Sequence, residues 1–308
     1  MLSGTTIAGL CIAKNEADII EAMVRHNLGY LDHLHVVDND SADATPGILA
    51  ALAAEMGGRI SWSADARAGH GQQAIINDLL PEFAARTDAS QVILLDADEF
   101  IRAESGFFRQ ALLATDQPVQ LPWFTYVPTV SDDASEANPL ARITQRRRRE
   151  VPQYSKITVP RGFVGLAEVG PGNHSLIFGK RTKGERVAGL SLAHFPVRSR
   201  EQLMSKVLIG AWNMRLRDLA DQTGTHQNEA YHWRVLADRI LAGGQISDAD
   251  VQEVAVSYAA DVAVRLVSEP MTAPGAMNLL YTPDNAALLE RNLIAFAESC
   301  VRRLAGRV

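Results

Sequence analysis

The sequence predicts an α/β protein built on a mainly parallel sheet. Two observations carry this. Short apolar runs alternate with helix-period stretches through the first hundred residues, in the order β-α-β-α-β-α-β. Acidic residues then collect where those runs end: Asn15-Glu16, Asp38 and Asp96 to Asp98. In open sheets of this kind, ligands bind beyond the carboxyl ends of the strands.

Each element has its own justification. Ile7 to Ala13 is an apolar run of strand length, and Ala17 to Leu28 places Ile19, Ile20, Met23, Val24 and Leu28 at helical spacing. Leu34 to Val37 is a second strand, stopping at Asp38. Thr45-Pro46 opens the next helix, with a capping hydroxyl before proline. Ile48, Leu49, Leu52 and Met56 form its apolar stripe, and Gly57-Gly58 ends it. Arg59 to Ser63 is a third strand, Gln73 to Ala85 a helix that Pro81 can kink, and Val92 to Leu95 a fourth strand. Residues 115–195 lack a helix period and carry Pro and Gly punctuation, which predicts a mixed or antiparallel addition to the sheet. Helices resume at Ser199, where Ser199 and Gln202 have capping-box spacing, and again at Ser247 to Asp250; a last one covers about 284–304. The expected division is a first domain over 1–215 and a helical extension over 216–308 packed on it.

Composition narrows the function classes. The chain has 308 residues, 47% hydrophobic and 21% charged, enough for a sizeable core. A net charge of −6 argues against whole-molecule attraction to nucleic acid. Cys11 and Cys300 suggest core thiols and no disulfide framework. No apolar run reaches the roughly 18 residues of a membrane span, so the simplest location is the cytoplasm.

The chemistry is expected in Val92-Ile93-Leu94-Leu95-Asp96-Ala97-Asp98-Glu99-Phe100. On an extended backbone Asp96 and Asp98 would point the same way, and paired carboxylates suit a shared Mg²⁺ or Mn²⁺; an exposed acidic loop is the bland alternative. Asp38 can accept hydrogen bonds from a base or ribose, whereas Asp43 and Thr45 suit the turn and helix start.

Together these segments resemble glycosyltransferase family 2, in its branch with a Lys-Asn-Glu opening and an Asp-x-Asp-Glu-Phe motif. The matches are Lys14-Asn15-Glu16, His26-Asn27, Asp38 to Thr45, Asp96 to Phe100 and His194 to Ser199, spread over about residues 5–210, with His232-Trp233 beyond them. Ala44 departs from the family's frequent glycine. The resemblance implies a GT-A fold, a Rossmann-like mainly parallel sheet, with a nucleotide-diphosphate sugar donor (UDP by default), a divalent cation and inverting transfer. It implies that Asn15, Glu16 and Asp38 contact the nucleoside, and that Asp96 lies near the ribose or metal. Asp98 would bind the metal, His194 would complete that site, and Lys156 and Arg198 would contact phosphate. The proton-accepting base is assigned to Glu168, with Asp132, Asp133 and Glu229 as rivals. The acceptor, whether glycan, lipid-linked or small molecule, stays open.

Other residues carry two readings. His174 lines the acceptor site or closes a turn; Gln72, Gln73 and Asn77 reach the donor or are solvated; Trp123 and Tyr126 stack on a sugar or pack in the core. Arg146 to Arg149 attracts an anionic acceptor or forms a solvated loop, the latter being favoured. Arg291, Arg302 and Arg303 allow a peripheral membrane contact through the last helix, although packing on the sheet is the simpler expectation. Three alternatives stand beside the transferase: a nucleotide-sugar-binding protein without transfer, a metal-dependent phosphatase using the Asp-x-Asp segment, and a nucleotidyltransferase. The last would want a Gly-rich loop after the first strand, which Ala13 to Glu16 is not.

Overall fold

The computed structural model describes residues 5–65, 67, 72–220, 231–259, 264–275, 277–283 and 288–305. In chain order the first elements are β1 (Thr6–Ala13), α1 (Ile20–Asn27), β2 (His33–Asp38), α2 (Thr45–Met56), β3 (Ile60–Ala64), α3 (Gln72–Thr87) and β4 (Ala89–Asp96). Next come β5 (Glu99–Arg102), α4 (Ser105–Leu113), β6 (Val119–Thr125), α5 (Pro139–Arg142), β7 (Gln145–Arg147), β8 (Ser155–Pro160), β9 (Glu168–Val169), β10 (Leu176–Phe178) and β11 (Lys180–Thr182). The chain continues through β12 (Glu185–Arg186), β13 (Ser191–His194), α6 (Arg200–Ala220), α7 (Tyr231–Leu241), α8 (Asp248–Ser257), β14 (Leu266–Ser268) and α9 (Leu288–Ala305).

The main sheet runs β3-β2-β1-β4-β8-β6-β13-β5, with β12 beside β6. Its first four strands are all parallel. β8 is antiparallel to both β4 and β6, β13 is parallel to β6, and β5 is antiparallel to β13. This is the α/β, mainly parallel architecture with a C-terminal helical region that the sequence predicts, and residues 115–195 supply its mixed half.

Alternation explains why the central strands are apolar throughout. Ile7 and Cys11 of β1 and Ile93 and Leu95 of β4 join the core under α1, α2 and α4. Ala8 and Leu10, with Val92 and Leu94, join the core under α3. Strands covered on both faces read as continuous hydrophobic runs. Truncating Leu94, fully buried, would cost about 2–5 kcal/mol. A third core, including Val197, Leu203, Val207, Ala237 and Val251, joins the strand ends to α6, α7 and α8.

Several local expectations change. α1 starts at Ile20 rather than Ala17 because Asn15 sits at φ 57° and residues 16–19 form a turn that closes on the Glu16 carbonyl. The Thr45 hydroxyl does not cap α2; it accepts from the Glu16 backbone N–H at 2.9 Å, and Asp43 takes the Thr45 N–H instead. Pro81 lies inside α3 with its ring exposed, and one helix continues through it. Ser199 accepts from Gln202 N–H, but the Gln202 side chain accepts from Arg198 N–H, one residue earlier than a capping box requires. α6 runs through position 215. In the last helix, 284–287 lie outside the described residues.

The arginine run is half structural rather than a solvated loop. Arg147 is buried in β7 against Glu150 at 2.9 Å, and Arg146 pairs with Glu269 while lying over the Phe124 ring. Only Arg148 and Arg149 of the four are exposed.

Glu21 ties the C-terminal segment to the sheet domain. Its buried carboxylate accepts from the backbone N–H groups of Leu280, Tyr281 and Thr282 at 2.7–2.8 Å and from the Thr282 hydroxyl at 2.9 Å. Those bonds, with Arg25, outweigh burial and hold its pKa below the ordinary value.

Candidate active site

The first parts of the site are the loops after β1 and β2, which clamp each other. Asn15 N–H donates to Ser41 Oγ at 2.8 Å, and Asn15 Oδ1 accepts from Ala42 N–H at 2.8 Å. Ala17 N–H donates to Asp43 at 3.1 Å. Asp38 is buried at the end of β2; one oxygen accepts from Ser41 N–H at 3.1 Å, and Oδ1 is buried with no partner. A buried carboxylate oxygen without a donor costs free energy unless a ligand supplies one.

The Asp96–Glu99 segment does not stay extended. β4 ends at Asp96, Ala97 and Asp98 turn, and Glu99 opens β5. The two aspartates are therefore not on one extended strand, and each meets its own hydrogen-bond or ion-pair partners. Asp96 accepts from Lys156 Nζ at 2.7 Å and from Gln72 Nε2 at 2.8 Å. Lys156 is buried, also donates to the Gly172 carbonyl at 3.0 Å, and lies 3.7 Å from Glu99. Gly172 needs its glycine there: φ is +67°, and a Cβ would meet the His174 ring at 2.6 Å. Burial opposes the charge on Lys156, but Asp96 and Glu99 raise its pKa above the ordinary lysine value. Glu99 is fully buried and its pKa is raised, with one oxygen on Asp96 N–H at 2.9 Å and the other unpartnered.

Asp98 sits at the opposite pole. His194 Nε2 is 3.7 Å from one oxygen; Lys206 Nζ at 3.8 Å and Arg198 at 4.0 Å face the other. Strand pairing explains the first neighbour, since His194 lies opposite Glu99 in the β13–β5 register and Phe195 N–H donates to the Asp98 carbonyl. Burial alone would raise the Asp98 carboxyl; His194, Lys206, Arg198 and Lys156 hold it at about 2. Burial pulls the His194 imidazole down to about 4, against Asp98 and Asp96. Near pH 7 the histidine is therefore neutral and the three cations keep Asp98 ionised. Trp123 stacks on His194 at 4.5 Å, and His194 Nδ1 is buried without a partner.

Arg198 closes the arrangement from the turn after β13. Its guanidinium is buried against Asp18, Glu16 Oε2 at 2.6 Å and the Phe195 carbonyl at 3.0 Å. Glu16 is raised to about 7, mainly by burial, with Asp98 and Asp18 adding and Arg198 and Lys206 opposing. Glu16, Lys14, Lys206 and Asn292 line a cavity of about 170 Å³ between this loop, α6 and α9.

The structure thus brings Asn15, Glu16, Asp96, Asp98, Lys156, His194 and Arg198 into one connected cluster, with Asp38 on the adjoining loop. Glu168 is elsewhere. It is exposed on β9, in a separate three-stranded sheet β11-β10-β9, while its neighbour Val169 packs toward α3. Asn77 brackets the Val169 backbone rather than facing solvent. His174 closes a turn on the Ser155 carbonyl at 2.8 Å, beside Trp123 and Tyr154. Tyr126 packs on Phe195 in the core. Asp132 and Asp133 hold turns through Thr129 and Ser135, and Glu229 lies outside the described residues, as do the side chains of His232 and Trp233.

No family model matches this sequence, and neither does any curated protein. Solved structures with a similar course include S. aureus TarS 1-349 in complex with UDP, at 11% identity and a TM-score of 0.40, over 77% of this chain and 70% of that one. Mannosyltransferase PcManGT from Pyrobaculum calidifontis, in complex with GDP-Man and Mn2+, is similar at 14% identity and a TM-score of 0.39, over 95% and 86%.

Sequence reasoning missed Asp18, Lys206 and the burial of Glu99. Asp18 sits two residues beyond the Lys14-Asn15-Glu16 motif, so its charge was visible. Lys206 comes from α6, and nothing in its spacing points back to Asp98.

Proposed function

We propose that this chain is a metal-dependent glycosyltransferase of the GT-A type, moving a sugar from a nucleotide-diphosphate donor to a hydroxyl acceptor with inversion. One observation carries the reading. The four segments of the family-like pattern are bonded into one cluster: Asn15 to the Ser41-Ala42 loop, Glu16 to Thr45, Arg198 to Glu16, and His194 beside Asp98.

The donor set suits a cation that a diphosphate helps to hold. Asp98 is ionised and His194 neutral near pH 7, the forms in which each can ligate. Among the described residues no group of three or more His, Cys, Asp or Glu forms a complete metal site. Asp98 and His194 are accordingly a two-residue holder, and substrate phosphate oxygens would supply the rest, as is usual for Mg²⁺ and acceptable for Mn²⁺. Asp96, held by Lys156 and Gln72, is proposed near the ribose rather than as a ligand. When bound, the metal would neutralise charge growing on the β-phosphate as the sugar leaves.

The protein's own groups do the rest. Asp38 Oδ1 offers an acceptor to the nucleoside, and Asn15 fixes the loop that carries it. Lys206 is a third exposed and is the cation best placed to meet phosphate. Arg198, saturated by Asp18, Glu16 and Phe195, positions Glu16 instead of reaching phosphate. No base is assigned, because Glu168 lies on β9, apart from this cluster.

The test is nucleoside-diphosphate release from UDP- and GDP-sugars with Mn²⁺. The reading expects release of one nucleotide, lost in Asp98→Ala. Release of inorganic phosphate in its place would overturn it in favour of a phosphatase.

A further inference from the structure

We infer that the small sheet β9–β11 is a docking surface for an anionic lipid bilayer. The inference does not depend on the proposed reaction. One face of this sheet is spoken for: Val169 and Leu176 are buried in the core under α3. The end of the sheet around the turn after Phe178 carries open apolar side chains. Phe178 is 55% exposed, Leu166 66% and Ile177 36%. Ile177 and Phe178 stand on opposite faces beside the turn, the Phe163 ring meets Phe178 edge-on at 6.2 Å, and Leu166 lies in the turn that closes on the Phe163 carbonyl. Single exposed apolar side chains are ordinary; a cluster at a hairpin tip marks a contact surface.

Charge identifies the occupant. On and beside this sheet the chain carries Lys180, Arg181, Lys183 and Arg186, all exposed, against Glu168 and Glu185. This stands on a protein whose net charge is −6. An apolar tip rimmed by cations matches a negatively charged interface, where the tip enters the headgroup boundary and the cations meet lipid phosphate. α9 is the competing surface, because Ile294 and Val301 are exposed there; among its described side chains the exposed charges, Glu290, Arg291, Glu298 and Arg302, balance. Among the described residues no helix is long and apolar enough to cross a membrane, so the contact is peripheral. The 171–174 turn before β10 contacts Lys156 and Ser155, so docking would set the Asp96 end of the site beside the bilayer.

The experiment is flotation of the full chain with phosphatidylcholine vesicles, with and without phosphatidylglycerol. The expected result is binding only to the phosphatidylglycerol vesicles, weakening as salt rises. Phe178→Ser should reduce it several-fold, and Lys180→Ala with Lys183→Ala by on the order of twentyfold. All these positions are exposed, and unchanged thermal melting would show that the variants fold. The proposal is overturned if wild type ignores anionic vesicles or if these variants bind as wild type does. It also fails if binding is lost in Ile294→Ser with Val301→Ser instead, or if the hairpin retains single-stranded RNA and not vesicles.

Discussion

Arg198 grips Asp18 with two donors, Nε at 2.6 Å from Oδ2 and NH2 at 2.8 Å from Oδ1. Both side chains are buried, and a third bond from NH2 reaches Glu16. Removing one partner of a buried pair leaves an uncompensated charge, which typically costs about 3–5 kcal/mol. Asp18→Ala should lose that much in urea unfolding. Arg198→Lys should lose a similar amount, since an ammonium cannot reproduce the planar two-pronged contact. A loss under about 1 kcal/mol in both would mean that the pair does not organise the loop after β1.

Acid should destabilise the protein well above the carboxylate range. Burial depresses His26, His35 and His194 to about 4 from the ordinary 6.5. Between those values the unfolded chain binds protons that the folded chain refuses, so the histidine contribution is full above about pH 6.5 and is lost as pH drops toward 4, while Glu16 and Glu99, both raised by burial, take up protons in the folded chain and oppose it. The slope reaches at most about 4 kcal/mol per pH unit if all three act. Denaturant titrations at stepped pH check this. His26→Gln, which keeps a donor for the Ile101 carbonyl, should flatten the slope by roughly a third. A slope unchanged by His26→Gln would contradict a buried neutral His26.

The Glu21 strap predicts a local effect. Glu21→Ala leaves the N–H groups of Leu280, Tyr281 and Thr282 without their acceptor, at a cost of about 1–3 kcal/mol or more. The segment 277–283 should then be cut by protease faster than in wild type, ahead of the sheet domain. Equal cleavage rates would show that the strap is held by other contacts.

How far the sequence was legible depends on the range of the interaction. The parallel half was readable because β1 and β4 are buried on both faces and announce themselves as apolar runs. The site was readable wherever a residue lies in a local motif, as Asn15, Asp38, Asp98 and His194 do. What failed needed tertiary knowledge. Asp96 and Asp98 take different partners, with a turn beginning at Ala97 between them. Thr45 spends its hydroxyl on Glu16, twenty-nine residues away in sequence. Arg147 is buried because β14, from the distant C-terminal part, pairs with β7. No periodicity records these long-range partners.

The most direct test is calorimetric titration of UDP and GDP into the purified protein, with and without Mn²⁺, in wild type and Asp98→Ala. The account predicts that one nucleotide binds only with metal and that Asp98→Ala abolishes this binding while melting like a folded protein. Absence of binding by either nucleotide with metal present, or binding that survives Asp98→Ala unchanged, would contradict it.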